Sequence, residues 1–316
     1  PVEELVSVGI SCESCHFGAR EHALEGKKPR FAPHNEKIVA SSDAPSLAGT
    51  REDSRTIVSI CAQCHSAPTA LYPNGAGTRN SSEALDLLSG ACASRIKCTD
   101  CHNPHVPGPG AMAPVQQEHL NACLGCHPDF SDTTFAREHS GHTEEVSCLD
   151  CHMPRMVQGI SSLVRSHRIS SPTNRSMLAT SVNACNLCHL DKSVVWTALE
   201  LRQSYRKAID VSGLSDLPAG QLWLTSKERI HRLTAAGALP LHPSGQGFFP
   251  QLLEMLDDPV AYDRQRYLWA VEEILGRTLG EEEFALLGTP QWRRNQVLRL
   301  RKELKVKGTK KATREL

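Results

Sequence analysis

The pattern C-x-x-C-H occurs six times in this chain of 316 residues, and the first copy is Cys12-Glu-Ser-Cys15-His16. Residues at i, i+3 and i+4 share one face of a helical turn, so the two thiols and the imidazole of each copy point the same way. This spacing is the signature of c-type haem attachment. Two thioethers hold the porphyrin edge, and the histidine binds the iron as its proximal ligand.

The six copies predict six covalently bound haem c groups. The predicted thioether cysteines are Cys12, Cys15, Cys61, Cys64, Cys98, Cys101, Cys123, Cys126, Cys148, Cys151, Cys185 and Cys188. The predicted proximal iron ligands are His16, His65, His102, His127, His152 and His189. Zinc also binds paired C-x-x-C, but it needs no histidine directly after each second cysteine. A redox C-x-x-C would need neither six copies nor the trailing histidine.

One cysteine, Cys92, lies outside the motifs. We expect it to be a buried or unreactive thiol, and an iron ligand or an intermolecular disulfide are the alternatives. Aromatic residues make up only 5% of the chain, which is low for a conventional core of this size. Six porphyrins would supply the missing apolar surface, so the haems are expected to form the core of their region.

The formal net charge is zero. The two propionates of each haem outweigh the single positive charge of its ferric core, so the oxidised holoprotein is expected to be acidic. No run of about 18 apolar residues predicts a transmembrane segment. The chain starts at Pro1 without an apolar leader, and we expect that a signal peptide has been removed. Because C-x-x-C-H is loaded with haem outside the cytoplasm, a periplasmic or extracellular location is expected, and nucleic acid is not expected as a partner.

Two domains are predicted: a hexahaem cytochrome domain over 1–192 and an α-helical domain over 193–316. The density of motifs in the first leaves room for short helices and loops, and no sheet is expected there. A short capped helix is predicted from Ser81, and an irregular segment from Asn103 to Pro114. In the second domain, apolar periodicity predicts helices at 194–208, 226–239, 248–257, 261–276 and 290–306. The predicted fold class is therefore mainly α with much irregular structure.

Three segments carry a resemblance to a known superfamily. They are Cys12-Glu-Ser-Cys15-His16 followed by His22, Cys98-Thr-Asp-Cys101-His102-Asn-Pro-His105, and Cys148-Leu-Asp-Cys151-His152-Met-Pro154. Residues 1–192 resemble the multihaem cytochrome superfamily that contains cytochrome c554 and the pentahaem nitrite reductases. Those reductases attach their catalytic haem through C-x-x-C-K, whereas all six motifs here end in histidine. The resemblance therefore implies an electron carrier rather than an enzyme.

A second resemblance covers residues 226–306. The segment Phe249-Pro-Gln-Leu-Leu-Glu-Met-Leu-Asp-Asp-Pro259, followed by Arg264 to Gly276, is similar to a HEAT-type helix pair. This implies a ridged surface that binds proteins. A plain helical bundle is the alternative, because a solenoid usually needs three or more repeats.

An iron with two protein ligands is closed and carries electrons, whereas an iron with one is open to substrate. The candidate distal ligands are His22, His34, His105, His119, His139, His142 and His167. His105 and His119 lie too close to their neighbouring motifs to cross the local haem, so each is expected to ligate a different one. His22 is restricted in the same way.

One helical turn that carries His139 and His142 could serve two irons. His167 follows the fifth motif by fifteen residues, which is enough to reach over a ring. His231 and His242, in the helical domain, are expected to be bystanders. Met112 or Met177 could replace one histidine as a distal ligand.

The predicted function is electron transfer through six mostly bis-histidine haems, with redox proteins or other cytochrome subunits as partners. Two alternatives stay open: a subunit of an extracellular cytochrome filament, and a multihaem reductase with one open haem. The C-terminal segment from Gln291 to Leu316 is rich in Lys and Arg. It is either a solvated helix face or a docking surface for acidic partners.

Overall fold

The computed structural model describes residues 10–16, 19–28, 54–93, 95–106, 115, 117–142 and 146–304. The candidate ligands His34 and Met112 lie outside the described residues, as does the part of the basic C-terminal segment beyond residue 304. Most of the predicted irregular segment that ends at Pro114 is also outside them.

Short helices joined by turns make up the motif-bearing part of the chain. They are α1 (Ala19–Glu25), α2 (Ser54–His65), α3 (Glu83–Ser89), α4 (Gln117–Leu124), α5 (Thr133–Ser140), α6 (Cys148–His152), α7 (Arg175–Thr180) and α8 (Ala184–Cys188). Single 3₁₀ turns occur at Cys12–Ser14, Cys98–Asp100 and Pro128–Ser131. The predicted helix after Ser81 is α3. The Ser82 side chain makes no capping hydrogen bond. The Glu83 carboxylate instead accepts the main-chain N–H of Ser81.

A two-stranded antiparallel sheet follows the fifth motif. Strand β1 (Arg155–Gln158) pairs with β2 (Leu163–Arg165), with Val157 opposite Val164. The expectation that this region holds no sheet was wrong. The hairpin is stable here because its apolar face is covered by the C-terminal helices, a source of buried surface that motif density does not reveal.

Six helices follow in the C-terminal part: α9 (Val194–Tyr205), α10 (Ala219–Leu224), α11 (Arg229–Ala238), α12 (Phe249–Glu254), α13 (Ala261–Leu275) and α14 (Pro290–Glu303). All five predicted helices are present. The short α10 was not predicted, because its six residues are too few to show a helical period. The mainly α fold with much irregular structure is confirmed.

One hydrophobic core extends across the predicted boundary at residue 192. It joins Tyr72, Met156 and Leu163 on one side to Trp223 and Leu252 on the other. The Tyr72 hydroxyl donates to the Met156 carbonyl at 2.8 Å, so a polar bond reinforces the apolar contact. The segment between the second and third motifs is thereby fixed to the hairpin.

Arg266 of α13 fastens the hairpin from the helical side. Its guanidinium donates to the carbonyls of Gly159 at 3.1 Å and Ile160 at 2.8 Å, and to Gln158 Oε1 at 3.0 Å. Arg266 is itself buried, and its bonds to Gly159 and Gln158 are shielded from water. The C-terminal helices therefore hold in place the segment of the chain that connects the fifth and sixth motifs.

Across the described ranges, no helix combines the length and the apolar character that crossing a bilayer requires.

Candidate haem-binding sites

Each motif folds as one helical turn. The N–H of His16 donates to the Cys12 carbonyl at 2.8 Å, and the N–H of His102 donates to the Cys98 carbonyl at 2.9 Å. The fourth and sixth motifs close in the same way, while the second ends α2 and the fifth forms α6. None of the thirteen cysteines forms a disulfide. The turn therefore presents two thiols and one imidazole at each motif, as thioether attachment requires.

Consecutive motifs lie beside one another. Helix α2, which carries the second motif, packs against the Cys98–Asp100 turn of the third. The Cys98 side chain lowers the pKa of Cys61, and Cys61 raises that of Cys98. Burial is the first cause of the raised pKa of Cys15, and the nearby thiols of Cys61 and Cys64 raise it further.

The same relation continues along the chain. The pKa of Cys123 is raised by burial and then by Cys148 and Cys101, the thiols of the motifs after and before it. Burial and then Cys151 raise the pKa of Cys185. The six attachment turns therefore follow one another in space in chain order.

Within the part of the chain that the structure describes, four of the predicted proximal histidines have a candidate distal histidine beside them. The ring centres are 6.0 Å apart for His16 and His105 and 6.3 Å apart for His152 and His139, and both pairs are nearly parallel, with interplanar angles of 10° and 7°. The third pair joins the rings of His189 and His142, whose centres are 6.1 Å apart.

The fourth proximal histidine, His102, has two neighbours. Its ring centre is 6.4 Å from that of His119 and 6.1 Å from that of His167. Only one of the two could be the second ligand of an iron bound by His102. The structure places His167 beside the third motif.

These separations fit a haem iron between two imidazoles. An imidazole nitrogen binds a transition metal at about 2 Å and its ring centre lies about 1.1 Å further back, so two imidazoles that bound one iron from opposite sides would have centres about 6.2 Å apart. The observed separations of 6.0 to 6.4 Å agree with this distance.

The outer nitrogens of several imidazoles are anchored. Metal-bound histidines usually donate Nδ1–H to a carbonyl or carboxylate, which orients the ring and leaves Nε2 for the metal. This contact is made by His142 to the Ser140 carbonyl at 2.6 Å, by His152 to Ser170 at 3.1 Å and by His167 to Arg165 at 3.2 Å. Two further cases are His22 with the Lys27 carbonyl at 2.8 Å and His65 with Glu83 Oε2 at 3.0 Å.

Burial keeps several of these rings neutral, the form that binds a metal. It is the first cause of the lowered pKa of His102, His139, His167 and His189, and neighbouring histidines lower each pKa further.

Two proximal histidines have different surroundings. The His127 ring contacts Phe130, with centres 6.1 Å apart and the rings nearly perpendicular. The His65 side chain is 53% exposed and is held by Glu83. No ring contact described for either one involves a second histidine.

A zinc site would gather four of these groups around one point. Among the described residues, no three side chains of His, Cys, Asp or Glu come together in a way that could hold a metal ion. The thiols and imidazoles of the motifs are spread over six separate turns.

The C-terminal helices contribute residues that sequence reasoning missed. The indole of Trp196 in α9 lies 5.0 Å from the His189 ring, and the Tyr205 hydroxyl donates to the Ser140 carbonyl, next to the turn that carries His139 and His142. Helix α9 therefore packs against the predicted ligand His189 and against the turn that carries His139 and His142. Only the apolar period of this helix was visible in the sequence, which does not say what lies against it.

His242, expected to be a bystander, lies at the sixth motif. Its Nε2 is 3.1 Å from Cys188 Sγ, and the Ser244 hydroxyl donates to the Cys188 carbonyl at 2.6 Å. No motif signals either residue, because they reach the site from 54 and 56 positions away. His231 instead pairs with the Ser226 hydroxyl at 3.1 Å. Met177 lies in the hydrophobic core.

Comparison with known proteins gives one family. A family model of cytochrome c552 matches residues 121–210, which contain the fourth, fifth and sixth motifs. The chain therefore has a c-type cytochrome region, and covalent haem c and electron transfer follow from that class. The cytochrome c552 family is also associated with nitrite reductase activity. No solved structure matches the chain.

Proposed function

We propose that this protein carries electrons through six haem c groups, which follow one another in space in the order of their motifs. The observation that supports this best is the set of imidazole pairs at the spacing of trans iron ligands. Haem c supplies reversible one-electron chemistry at its iron. The chain positions the groups, closes the irons and sets the potentials through ligands, burial and charge.

The ligand pairs support an assignment for four haems. His105 serves the first motif, His139 the fifth and His142 the sixth, while His119 or His167 serves the third. The pairing of His16 with His105 joins parts of the chain that are distant in sequence, since His16 belongs to the first motif and His105 follows the third. His105 would thereby hold the first and third motifs close together.

This assignment is tested by electron paramagnetic resonance of the oxidised holoprotein, quantified against total haem. Six closed haems predict that essentially all of the iron is low-spin. His105→Ala should convert one haem to the high-spin form, and His231→Ala, which removes a histidine far from the motifs, should leave the spectrum unchanged. A low-spin spectrum in the His105 variant would contradict the pairing of His16 with His105.

A reductase with one open haem is the second candidate. The family association with nitrite reduction favours it. It predicts that about one sixth of the ferric iron is high-spin in the unmodified protein and binds nitrite with a spectral change. The absence of both would leave electron transfer as the function.

We propose that residues 193–316, although they share a core with the haem region, serve to attach it to partners outside the cytoplasm. The HEAT-like helix pairs and the cationic α14, which carries Arg294 and Arg299, suit acidic redox proteins. If subunits instead join into a filament, electron microscopy of the native protein will show long rods rather than discrete particles.

A further inference from the structure

The hydrogen bond between His65 and Glu83 differs from the other anchors of the haem region. At the fifth motif, the Nδ1 partner of the proximal histidine is the carbonyl of Ser170. At the second motif it is a carboxylate, with His65 Nδ1 and Glu83 Oε2 3.0 Å apart. A carboxylate is a full negative charge at neutral pH, whereas a carbonyl is only a dipole.

The fold holds Glu83 in this position. Its second oxygen, Oε1, accepts the Ser81 N–H at 2.9 Å, and its side chain is only 24% exposed. Ser81 adopts φ = +70°, a conformation that costs free energy in a residue with a side chain. Helix α3, which begins at Glu83, packs against α2, which ends at His65. The contact is therefore built by two helices and a turn.

A carboxylate that accepts Nδ1–H increases the basicity of the imidazole at Nε2. A more basic axial ligand stabilises ferric iron relative to ferrous iron, so the reduction potential falls. This step uses the proposed role of His65 as proximal ligand, and it therefore rests on the proposed function.

We propose that Glu83 is a positioning residue that lowers the reduction potential of the haem at the second motif. Helix α2, which carries the second motif, packs against the Cys98–Asp100 turn of the third, and Cys15 of the first lies near Cys61. This haem would therefore lie between those of the first and third motifs, and Glu83 lowers the potential of an inner step in the chain of haems.

The test is a spectroelectrochemical titration of the holoprotein and of Glu83→Gln. The amide keeps the size of the side chain and removes its charge. One of the six potentials should rise by about 59 mV, which is a tenfold change in a one-electron equilibrium. The control is Asp86→Asn, which removes a carboxylate from the same helix whose described hydrogen bond goes to the Gly77 N–H.

A rise in Glu83→Gln but not in Asp86→Asn supports the proposal. Equal rises of the potential in both variants would show that Glu83 acts only through its charge and not through the bond to His65, which contradicts the proposal. No rise would show that Glu83 does not set the potential. If Glu83→Gln does not fold, a measurement on the unmodified protein still tests the proposal. One ferric haem must then show the stronger ligand field of an imidazolate-like histidine by electron paramagnetic resonance, and its absence overturns the proposal. A chain with fewer than six haems by mass would instead contradict the proposed function.

Discussion

The two halves of this molecule obtain their order in different ways. From residue 88 to residue 148, none of the described side chains is buried. In the C-terminal helices, by contrast, Leu252, Leu253 and Leu256 are completely inaccessible to solvent. The helical part has a core of its own side chains. The part around the third and fourth motifs consists of hydrogen-bonded turns and paired imidazoles, and we attribute its order to covalently bound haem.

The largest expected effect comes from removing one attachment. Cys185→Ser combined with Cys188→Ser should abolish haem binding at the sixth motif, since no thioether can form. The haem absorbance should fall by about one sixth, and the intact mass by one haem. Cys92→Ser is the matched control and should retain every haem. If the double variant keeps its full haem content, the sixth motif is not an attachment site.

The next largest effect is expected from the side-chain core. Leu253→Ala should lower the free energy of unfolding by about 2–5 kcal/mol, because it leaves a cavity among buried leucines. Leu287→Ala, at a side chain that is 80% exposed, should change it by less than about 0.5 kcal/mol. Thermal unfolding measures both. Haem content should stay the same in both variants, and a loss of haem in Leu253→Ala would contradict the contrast between the two halves.

A smaller effect is expected where the halves meet. Arg266→Met should cost about 2 kcal/mol of stability, because it leaves buried acceptors at the hairpin without a donor. Denaturant unfolding is the measurement. Arg277→Met removes an exposed pair with Glu283 and should leave the midpoint unchanged. Equal shifts of the midpoint would mean that the buried Arg266 bonds contribute no more to stability than the exposed pair of Arg277 and Glu283.

The smallest effect is expected at the fifth motif. Burial raises the pKa of Asp150, but Arg165, at 2.7 Å, and the Ser147 N–H outweigh it, so the net pKa is lowered. The stability this gives is present above the unfolded pKa of about 3.9 and is lost as pH falls through the folded pKa. Asp150→Asn should cost about 1.5 kcal/mol at pH 7 and less at pH 3. A cost that does not depend on pH would show that charge plays no part.

Local chemistry was predictable from the sequence, and long-range pairing was not. The six C-x-x-C-H turns follow from spacing alone, and the helix at Val194–Tyr205 follows from its period. Which imidazole faces which depends on the path of the chain, so the partner of His16 could not be identified before His105 was seen beside it. The sequence did show that His105 is too close to its own motif to serve it.

The residues that were missed share one physical reason. Glu83, Trp196 and His242 act on the motifs through tertiary contacts, and ordinary residues in such places carry no pattern. The hairpin of β1 (Arg155–Gln158) and β2 (Leu163–Arg165) was missed because the residues that cover its apolar face come from another part of the chain.

Mass spectrometry of the intact, denatured polypeptide tests the central claim most directly. Thioether bonds survive denaturation, so the account predicts the mass of the chain plus six haems. The mass of the bare chain, or of the chain with zinc, would contradict it.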